Sequence, residues 1–348
     1  MRAALIERHG TAPVLRERPP PRGARDHALI TTTAVPITPL DVLCATGTSY
    51  FGPPQLPYVP GVQGVGVVHD AAGLPGGTRV WFPTAAGMAP GDGSMAEQVL
   101  VPETELTPLP GGVEDTLVAA LGLSAIAAWT ALTWKGAMRA GEKVLVLGGG
   151  SVVGQVAIQA ARLAGAGRVV AASRSRRAQQ RAEACGAHAV VALHDDDDPD
   201  ELAARLADAG ARDTDVVIDP LCGVPATAAV QLLAQGGRFV NLGSSAGETA
   251  SFASAVVRSR SARILGYTNN EIGTEQKGEA LRSLLRYAAD GRLTVDHEVV
   301  PLDGLPGAWE RQAQGTAERR VVVDLTGHRE GAPSGARKSA DRLAQHGS

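Results

Sequence analysis

A glycine-rich turn between an apolar strand and an apolar-faced helix is the feature that most constrains how this sequence folds. The stretch VLVLGGGSVVGQVAIQAARLAGAG occupies residues 144–167. Its beginning is typical of a buried strand, and its end carries apolar residues at helical spacing. Consecutive glycines between the two give the backbone the freedom that a sharp strand-to-helix turn requires. The stretch therefore predicts a strand–turn–helix unit, in which the helix packs back onto the strand.

The pattern of strand and helix repeats after this unit. Strands are predicted for KVLVLG, RVVAAS, HAVVAL, DVVIDP, GRFVNLG and ARILGY, and helices for 154–165, 175–185, 199–209 and 224–235. Continuous apolar strands that alternate with helices indicate a parallel sheet covered on both faces. The fold class predicted for this part is α/β, with a Rossmann-type parallel sheet.

The flanking segments have a different composition. Up to about residue 110 the chain is rich in proline and glycine and carries short β-like runs, such as HALITTTAV and TRVWFP, which favour a mostly β domain. An alanine- and leucine-rich stretch at 113–138 predicts a helix. A further helix is predicted for EQKGEALRSLLRYAADG and a strand for RRVVVDL. Residues 326–348 are polar, without a core-forming pattern, and we expect a disordered tail there.

Length and charge exclude several classes of protein. The chain has 348 residues, enough for two domains, and a formal net charge of −3 with both signs mixed. Such a charge balance provides no broad basic face, so nucleic acid is not expected as a partner. The beginning, MRAALIERHG, lacks the apolar region of a signal peptide, and no apolar run predicts a membrane span. We expect a cytoplasmic protein without a membrane partner.

Cysteines and acidic residues do not predict a metal centre. Cys44, Cys185 and Cys222 are scattered, which fits reduced thiols better than a disulfide framework or a zinc lobe. The acidic run HDDDD at 194–198 leaves a metal site open. A helix N-terminus opened by Pro199, where acidic side chains are favourable, explains the run more simply.

The glycine turn predicts a nucleotide site. In dinucleotide-binding folds the turn reads G-x-G-x-x-G, and the helix N-terminus offers N–H groups to the phosphates. The aligned residues here are Gly149, Ser151 and Gly154, so a serine replaces the middle glycine. Its small side chain is compatible with the phosphates, and its hydroxyl can donate to them. A structural turn that binds no nucleotide is the alternative. The predicted contacts come from Gly149, Gly150, Ser151, Val152, Val153 and Gly154.

The end of the next strand distinguishes the two nicotinamide cofactors. An NAD site places Asp or Glu about 20 residues after the turn, to bind the ribose 2′-hydroxyl. This chain has VVAASRSRR there, with Ser173, Arg174, Arg176 and Arg177 and no carboxylate. Arginine forks match a phosphate group. We therefore predict NADP(H) as the cofactor, bound by Ser173, Arg174 and Arg177. NAD, with a solvated basic helix start, is the alternative.

Several segments, taken in order, resemble the medium-chain dehydrogenase/reductase superfamily, and within it the zinc-independent quinone oxidoreductase branch. The segments PLDVLCATG, LPYVPGVQGVGVV, GDGSMAEQVLVP and LGLSAIAAWTAL lie before the glycine turn, and DVVIDPLCG and LLAQGGRFVNLG lie after it. The resemblance extends over residues 1 to about 325. Each segment alone is weak, whereas the ordered set is specific.

This resemblance implies a Rossmann domain inserted into a GroES-like, mostly β domain, and a homodimer. The implied domains are 1–115 and 266–325 for the GroES-like catalytic part and 116–265 for the Rossmann part, with the tail at 326–348. It also implies a cleft between the two domains, shaped by loops around 45–60, 81–95 and 245–272. Asn241, Gly243 and Ser244 are expected to line the nicotinamide there.

The zinc-binding members of the superfamily differ from this chain at their ligand positions. Where they carry a cysteine, this chain has Thr38, and their Gly-His-Glu motif is Gly61-Val62-Gln63 here. Zinc requires thiolate, imidazole or carboxylate ligands. We therefore expect no metal ion in the site.

Carbonyl polarisation must then come from hydroxyl groups. Against the pattern of the family, Thr38 replaces an asparagine, Ala45 an arginine and Ser49 a tyrosine, with Tyr50 one step later. Tyr50 and Thr38 are the predicted catalytic residues, as donors that polarise a carbonyl or protonate the product. A packing role for Tyr50 is equally compatible with its loop. Tyr58 is expected to be structural.

The predicted activity is NADPH-dependent, zinc-independent hydride transfer to a quinone or an α,β-unsaturated carbonyl compound. Conjugate reduction needs orientation, exclusion of water and polarisation of the carbonyl more than a Lewis acid. One alternative is a tailoring enzyme for a larger unsaturated intermediate, similar to a trans-acting enoyl reductase. Another is a nucleotide-binding protein with little turnover.

Overall fold

A computed structural model of the protein describes residues 1–327. The predicted tail at 326–348 lies outside the described residues from position 328 onward. The strands are β1 (Arg2–Leu5), β2 (Val14–Glu17), β3 (His27–Pro36), β4 (Gln63–Asp70), β5 (Arg79–Pro83), β6 (Gln98–Pro102), β7 (Thr107–Pro108), β8 (Lys143–Leu147), β9 (Arg168–Ser173), β10 (Ala189–Ala192), β11 (Thr214–Asp219), β12 (Leu233–Asn241), β13 (Arg263–Gly266), β14 (His297–Pro301) and β15 (Arg320–Asp324). The α-helices are α1 (Pro39–Thr46), α2 (Asp115–Thr130), α3 (Val152–Leu163), α4 (Arg176–Ala184), α5 (Pro199–Leu206), α6 (Gly223–Val230), α7 (Ser254–Ser259), α8 (Thr274–Ala289) and α9 (Leu305–Ala313).

A parallel sheet forms the core of the segment that contains the glycine turn. In the described part of the chain its six strands lie in the order β10-β9-β8-β11-β12-β13, and all neighbours are parallel. The chain enters at β8, continues outward through β9 and β10, and returns to β11 on the other side of β8. Such a reversal of strand order opens a crevice at the carboxyl ends of the strands, where ligands bind in this type of sheet. The predicted Rossmann sheet is confirmed.

A second, mostly antiparallel sheet is built from both flanking segments. Its order, within residues 1–327, is β14-β15-β3-β4-β5-β7, with β6 also paired to β3. Strand β15 pairs antiparallel with β3, so that Val322 lies opposite Pro36. The parallel sheet is thus inserted in sequence between the strands of a mostly β unit, as the predicted fold class requires. The residue boundaries of the two domains stay predictions.

The helix predicted over 113–138 is interrupted. Helix α2 continues as a π-helical turn at Ala131–Lys135, and Gly122 inside it adopts φ 33° and ψ −134°. The side chain of Gln63 fills this break, because its Oε1 accepts hydrogen bonds from Leu123 N at 2.7 Å and from Trp81 Nε1 at 3.0 Å. A contact with a residue of β4 causes the break, so helical periodicity alone did not predict it.

The same helix is long and apolar enough to cross a membrane, by length and composition alone. In the described chain this holds for Asp115–Lys135 only, and 61% of that window is buried inside the protein. The helix packs in the core against α3, α8 and β4. Core helices of this kind pass the same test, so the segment carries no prediction of a membrane span.

Two further boundaries differ from the sequence predictions. The helix predicted over 224–235 ends at Val230, and β12 already begins at Leu233. Leu233 pairs with Thr214 of β11, and this pairing places the apolar residues after Val230 in the sheet instead of the helix.

At the acidic run, the Asp198 side chain accepts hydrogen bonds from the N–H groups of Asp200 and Glu201, with Pro199 in the first turn of α5. This is the arrangement predicted for a helix N-terminus.

Candidate cofactor and substrate site

The serine in the glycine turn is the N-cap of α3. Its Oγ accepts a hydrogen bond from Gly154 N at 3.0 Å and donates one to Gly148 O at 2.8 Å. The positive φ of the turn, 68°, lies at Gly148, one residue before the glycine aligned with the motif. Serine is among the best N-cap residues, so the departure from the motif has a local structural cause. The predicted donation from Ser151 to a phosphate competes with its bond to Gly148.

The glycines of the turn are required by close approach of the surrounding backbone. A Cβ on Gly154 would lie 2.2 Å from Gly148 O, and one on Gly150 would lie 2.4 Å from the Ala178 Cβ. A Cβ on Gly149 would lie 2.8 Å from the Ala171 Cβ. The turn is therefore pressed between α3, α4 and β9. Beyond it, Val152 and Val153 open α3, where N–H groups have no acceptor within the helix.

The N-cap leads to a prediction for two substitutions of Ser151. We expect Ser151→Gly to keep nucleotide affinity within about threefold, because glycine at an N-cap costs only about a few tenths of a kcal/mol. Ser151→Ala should destabilise the protein by about 1 kcal/mol. Titration with NADPH and the midpoint of urea unfolding measure the two effects. A tenfold weaker affinity in the glycine variant would instead identify the hydroxyl as a required phosphate contact.

Three side chains that the sequence analysis did not single out hold the turn in place. The Gly150 carbonyl accepts hydrogen bonds from Gln155 Nε2 and Arg181 Nε, both at 3.1 Å. Gln155 Oε1 in turn accepts from Asp296 N at 3.0 Å. Gln159 is bonded to the backbone N–H and carbonyl of Thr294. These hydrogen bonds connect the glycine turn to the segment between α8 and β14.

The predicted 2′-phosphate residues lie at the end of β9 and the start of α4. Ser173 is 2% exposed, and its Oγ accepts a hydrogen bond from Gly150 N at 3.1 Å, so it shapes the turn. Arg174 is exposed at the strand end, and Ser175 caps α4 through Ala178 N. Arg177 lies in the first turn of α4, where its guanidinium forms an ion pair with Glu318. Arg174 and Arg177 therefore flank one helix start.

The loops after β11 and β12 interlock at the crevice. Asn241 Nδ2 donates to Asp219 Oδ2 at 2.8 Å and to Gly243 O at 2.9 Å. Asp219 is fully buried, and that burial raises the pKa of its carboxyl, although the bonds from Asn241 and from two backbone N–H groups oppose the rise. Ser244 Oγ donates to Glu248 at 2.9 Å. In the sequence, the only sign of this contact between the two loops was Asp219, the polar residue that ends the apolar run DVVID.

The two parts of the predicted cofactor set come close to each other. A Cβ on Gly148 would lie 3.1 Å from Leu221 Cδ2, in the loop that follows β11, and one on Gly243 would lie 2.8 Å from Pro220 O. The glycine turn and the loops of Asn241 and Gly243 therefore meet at the point where the strand order reverses.

A cleft of about 820 Å³ is lined by residues of all three loops expected to shape the substrate pocket, but by none of the residues predicted to bind the cofactor. Phe51 belongs to the first loop, Thr84 and Met88 to the second, and Asn270 to the third. Tyr50 lies beside Phe51, with ring centroids 4.1 Å apart, and its side chain is 79% exposed. Tyr50 is thus exposed and next to a residue that lines this cleft. Its catalytic role stays a prediction.

Thr38 lies elsewhere, in a buried polar cluster. It is the N-cap of α1, and its Oγ1 donates to Asp41 Oδ2 at 2.6 Å. Asp41 also accepts from the N–H groups of Gly61 and Val62. Burial raises the pKa of Asp41, while these bonds and the nearby Arg320 oppose the rise. Neither Thr38 nor Tyr50 is among the residues that line the cleft, and the hydroxyl proton of Thr38 is held by Asp41.

The side chains at the positions where zinc-binding members of the superfamily carry their ligands do not fit zinc. Val62 has no donor atom, and the Gln63 oxygen already accepts two hydrogen bonds. Burial raises the pKa of the nearby Cys44 thiol to about 11, which disfavours a thiolate. Tyr58, also close by, is 5% exposed, and its hydroxyl finds no hydrogen-bond partner within residues 1–327.

Comparison with known proteins agrees with this geometry. Residues 24–111 match the alcohol dehydrogenase GroES-like domain, and residues 152–285 match the zinc-binding dehydrogenase domain. A quinone oxidoreductase of Lama guanicoe is 30% identical over 251 residues, which cover 70% of this chain and 73% of the relative. The chain belongs to the quinone oxidoreductase-like branch of the medium-chain dehydrogenase/reductase superfamily. This family is one of oxidoreductases, and the chain is therefore an oxidoreductase.

The chain is also similar to a polyketide synthase and to two solved structures of dehydrogenase type. A phenolphthiocerol/phthiocerol polyketide synthase of Mycobacterium tuberculosis is 26% identical over 289 residues, 77% of this chain but 13% of that protein. The quinone oxidoreductase of Thermus thermophilus, whose structure includes a complex with NADPH, superposes with a TM-score of 0.76 at 27% identity, over 93% of this chain and all of that one. An NAD-dependent alcohol dehydrogenase superposes with a TM-score of 0.80, also at 27% identity, over 93% and 100% of the two chains.

Proposed function

We propose that this oxidoreductase uses NADPH to reduce a quinone or an α,β-unsaturated carbonyl compound, without a catalytic zinc ion. One observation carries the proposal above all. The helix start that follows β9 presents Arg174 and Arg177 and no carboxylate, directly beside a glycine turn into which a Cβ does not fit. Arginines at this strand end are suited to a 2′-phosphate, and the turn is suited to a pyrophosphate.

The residues present fit the cofactor. The first-turn N–H groups of α3 would hold the pyrophosphate, Arg174 and Arg177 the 2′-phosphate, and the loops of Asn241, Gly243 and Ser244 the nicotinamide end. When bound, NADPH supplies a hydride. The NADPH complex of the similar Thermus thermophilus enzyme supports this choice, whereas the similar NAD-dependent alcohol dehydrogenase keeps NADH as the alternative.

Substitution of the two arginines tests the cofactor. Arg174→Ala and Arg177→Ala should each weaken NADPH binding by about tenfold, because each removes a charged hydrogen bond worth about 1.5 kcal/mol or more, and should leave NADH binding nearly unchanged. Fluorescence titration with the two reduced cofactors measures both affinities. Arg176, in the same helix turn, provides the control variant Arg176→Ala. Equal affinities for NADPH and NADH in wild type and variants would contradict the proposal.

The protein's own part in the reaction is orientation, exclusion of water and carbonyl polarisation. The positions where zinc-binding members carry their ligands lack a set of side chains that could hold zinc. Alcohol oxidation needs a Lewis acid to stabilise the alkoxide, so reduction of a conjugated acceptor is favoured. Tyr50, which contacts the cleft-lining Phe51, would donate its hydroxyl proton toward a substrate carbonyl or the reduced product. Thr38 would have to give up its bond to Asp41 to do the same, so we propose Tyr50 first.

A larger unsaturated intermediate is the second candidate substrate. The cleft, at about 820 Å³, has room for a compound larger than a simple quinone, and apolar side chains such as Phe51 and Met88 are part of its lining. The similarity to a polyketide synthase also favours this candidate, which corresponds to a trans-acting enoyl reductase.

A substrate screen tests the activity. Quinones, short enones and long-chain enoyl thioesters are offered with NADPH, and NADPH consumption is followed by the absorbance of the reduced nicotinamide. Turnover with quinones or short enones supports the first candidate, and turnover restricted to long thioesters supports the second. Tight NADPH binding without turnover of any of them would identify a nucleotide-binding protein and overturn both.

We also propose an assembly and a location for the protein. Strand β13 is at the edge of the parallel sheet, and Ile264 on it is 40% exposed, which supports a homodimer formed through this edge. We propose domain limits at 115/116 and 265/266, as the sequence analysis predicts, and a cytoplasmic location.

A further inference from the structure

A carboxylate lies against the arginine proposed to bind the 2′-phosphate. Arg177 forms an ion pair with Glu318, which belongs to the loop between α9 and β15. Their side chains are 65% and 56% exposed, so a ligand can reach both from solvent. Arg177 has no other acidic partner among residues 1–327. The guanidinium that would recognise the phosphate is thus already paired with an anion.

Neighbouring contacts fix the loop of Glu318 relative to the glycine turn. Arg319 Nε lies 3.1 Å from Asp296 Oδ2, and the same oxygen lies 3.9 Å from Arg181 Nη1. Arg181 also donates to the carbonyl of Gly150 in the turn. Burial lowers the pKa of Arg181, which the charge of Asp296 partly offsets. A chain of polar contacts therefore holds Glu318 at the nucleotide site, although it is remote in sequence.

We propose that Glu318 is a selectivity-determining residue that reduces the preference of the protein for NADPH over NADH. The inference rests on the proposed function, because it requires that Arg177 recognises the 2′-phosphate. Binding of a phosphate by Arg177 must break the ion pair, and the freed carboxylate then repels the phosphate charge. NADH carries a hydroxyl instead. A carboxylate can accept a hydrogen bond from that hydroxyl, as the acid at the strand end does in NAD sites.

The variant Glu318→Gln tests the inference, because it keeps the shape of the side chain and removes the charge. We expect the Kd for NADPH to fall about three- to fivefold, the effect of one partly exposed charge pair. The Kd for NADH should be unchanged or higher. Fluorescence titration of the purified full chain gives both constants without turnover. High ionic strength should reduce the difference between wild type and variant.

Two further variants separate a local charge effect from a general one. Glu310→Gln removes a carboxylate from α9, in the same part of the chain, that forms no ion pair within residues 1–327, and it should leave the ratio of the two Kd values unchanged. In an Arg177→Ala background the ion pair no longer competes with the phosphate, so Glu318→Gln should lose that part of its effect and keep only the part that comes from direct repulsion of the phosphate. Retention of the full effect would show that Glu318 does not act through Arg177.

The outcomes distinguish the inference from the proposed function. A wild-type protein that prefers NADPH, together with an unchanged Kd ratio in Glu318→Gln, overturns the role of Glu318 and leaves the proposed function standing. Failure of the wild-type protein to bind NADPH overturns both. A Kd for NADPH that falls in Glu318→Gln but not in Glu310→Gln supports the inference.

Discussion

Gly154→Ala should lower kcat/KM with NADPH by about 100-fold and destabilise the protein by about 2 kcal/mol. The added Cβ would lie 2.2 Å from Gly148 O and 2.6 Å from Gly149 Cα, both backbone atoms that cannot turn away as a side chain would. Helix α3 must therefore move off β8, which displaces the N–H groups proposed to hold the phosphates. A displacement of about 1 Å at a site costs on the order of 10²-fold, and overpacking costs about 1–3 kcal/mol.

Initial-rate kinetics and urea unfolding measure the two effects. The matched control is Gly307→Ala in α9, where a Cβ would meet nothing within 4 Å. That substitution should stabilise the protein by about 0.5–1 kcal/mol, because alanine favours the helix and restricts the unfolded chain. A Gly154→Ala protein with normal kcat/KM would show that the turn does not position the cofactor.

Asp41→Asn should destabilise the protein by about 3 kcal/mol, more than any other single change considered. Asp41 is 1% exposed, and its two oxygens accept four hydrogen bonds, from Thr38 N, Thr38 Oγ1, Gly61 N and Val62 N. Asparagine would turn an amide N–H₂ toward two of these donors and would remove the charge near Arg320. Leaving buried hydrogen-bonding groups without their partners costs about 1–3 kcal/mol, and more for charged groups.

The midpoint of urea unfolding measures this loss. Asp70→Asn, at the exposed end of β4, is the control and should change stability by about 0.5 kcal/mol or less. Normal stability of Asp41→Asn combined with a large drop in kcat would contradict the structural role. It would favour instead the prediction that the Thr38 hydroxyl, which Asp41 holds, acts on the substrate.

The sequence predicted best what is encoded locally. RVVAAS is β9 residue for residue, and the glycine turn lies where strand and helix periodicities meet. Ser151 as an N-cap was also within reach, since serine before an apolar helix is a known start signal.

Contacts between remote segments were beyond such reasoning. The break at Gly122 depends on Gln63, a residue of another element, and no periodicity reports it. The same holds for the links from Arg181 and Arg177 to Asp296 and Glu318. Thr38 was predicted as a donor from a family position, whereas its role as the N-cap of α1, through the local bond from Asp41 N to Thr38 Oγ1, was not predicted. Tertiary pairing decides which polar groups are free, and the sequence alone does not contain that information in readable form.

The pairing of β15 with β3 has a consequence for biosynthesis. During translation the six strands from β8 to β13 leave the ribosome, and can form their sheet, while the edge of β3 at residues 34–36 still lacks its neighbour. An open strand edge is a template for wrong pairing. Nascent chains that stall before Arg320, and fragments cut there, should therefore combine a folded parallel sheet with a mostly β part that is prone to wrong strand pairing. Such products would require chaperone protection or removal by proteases.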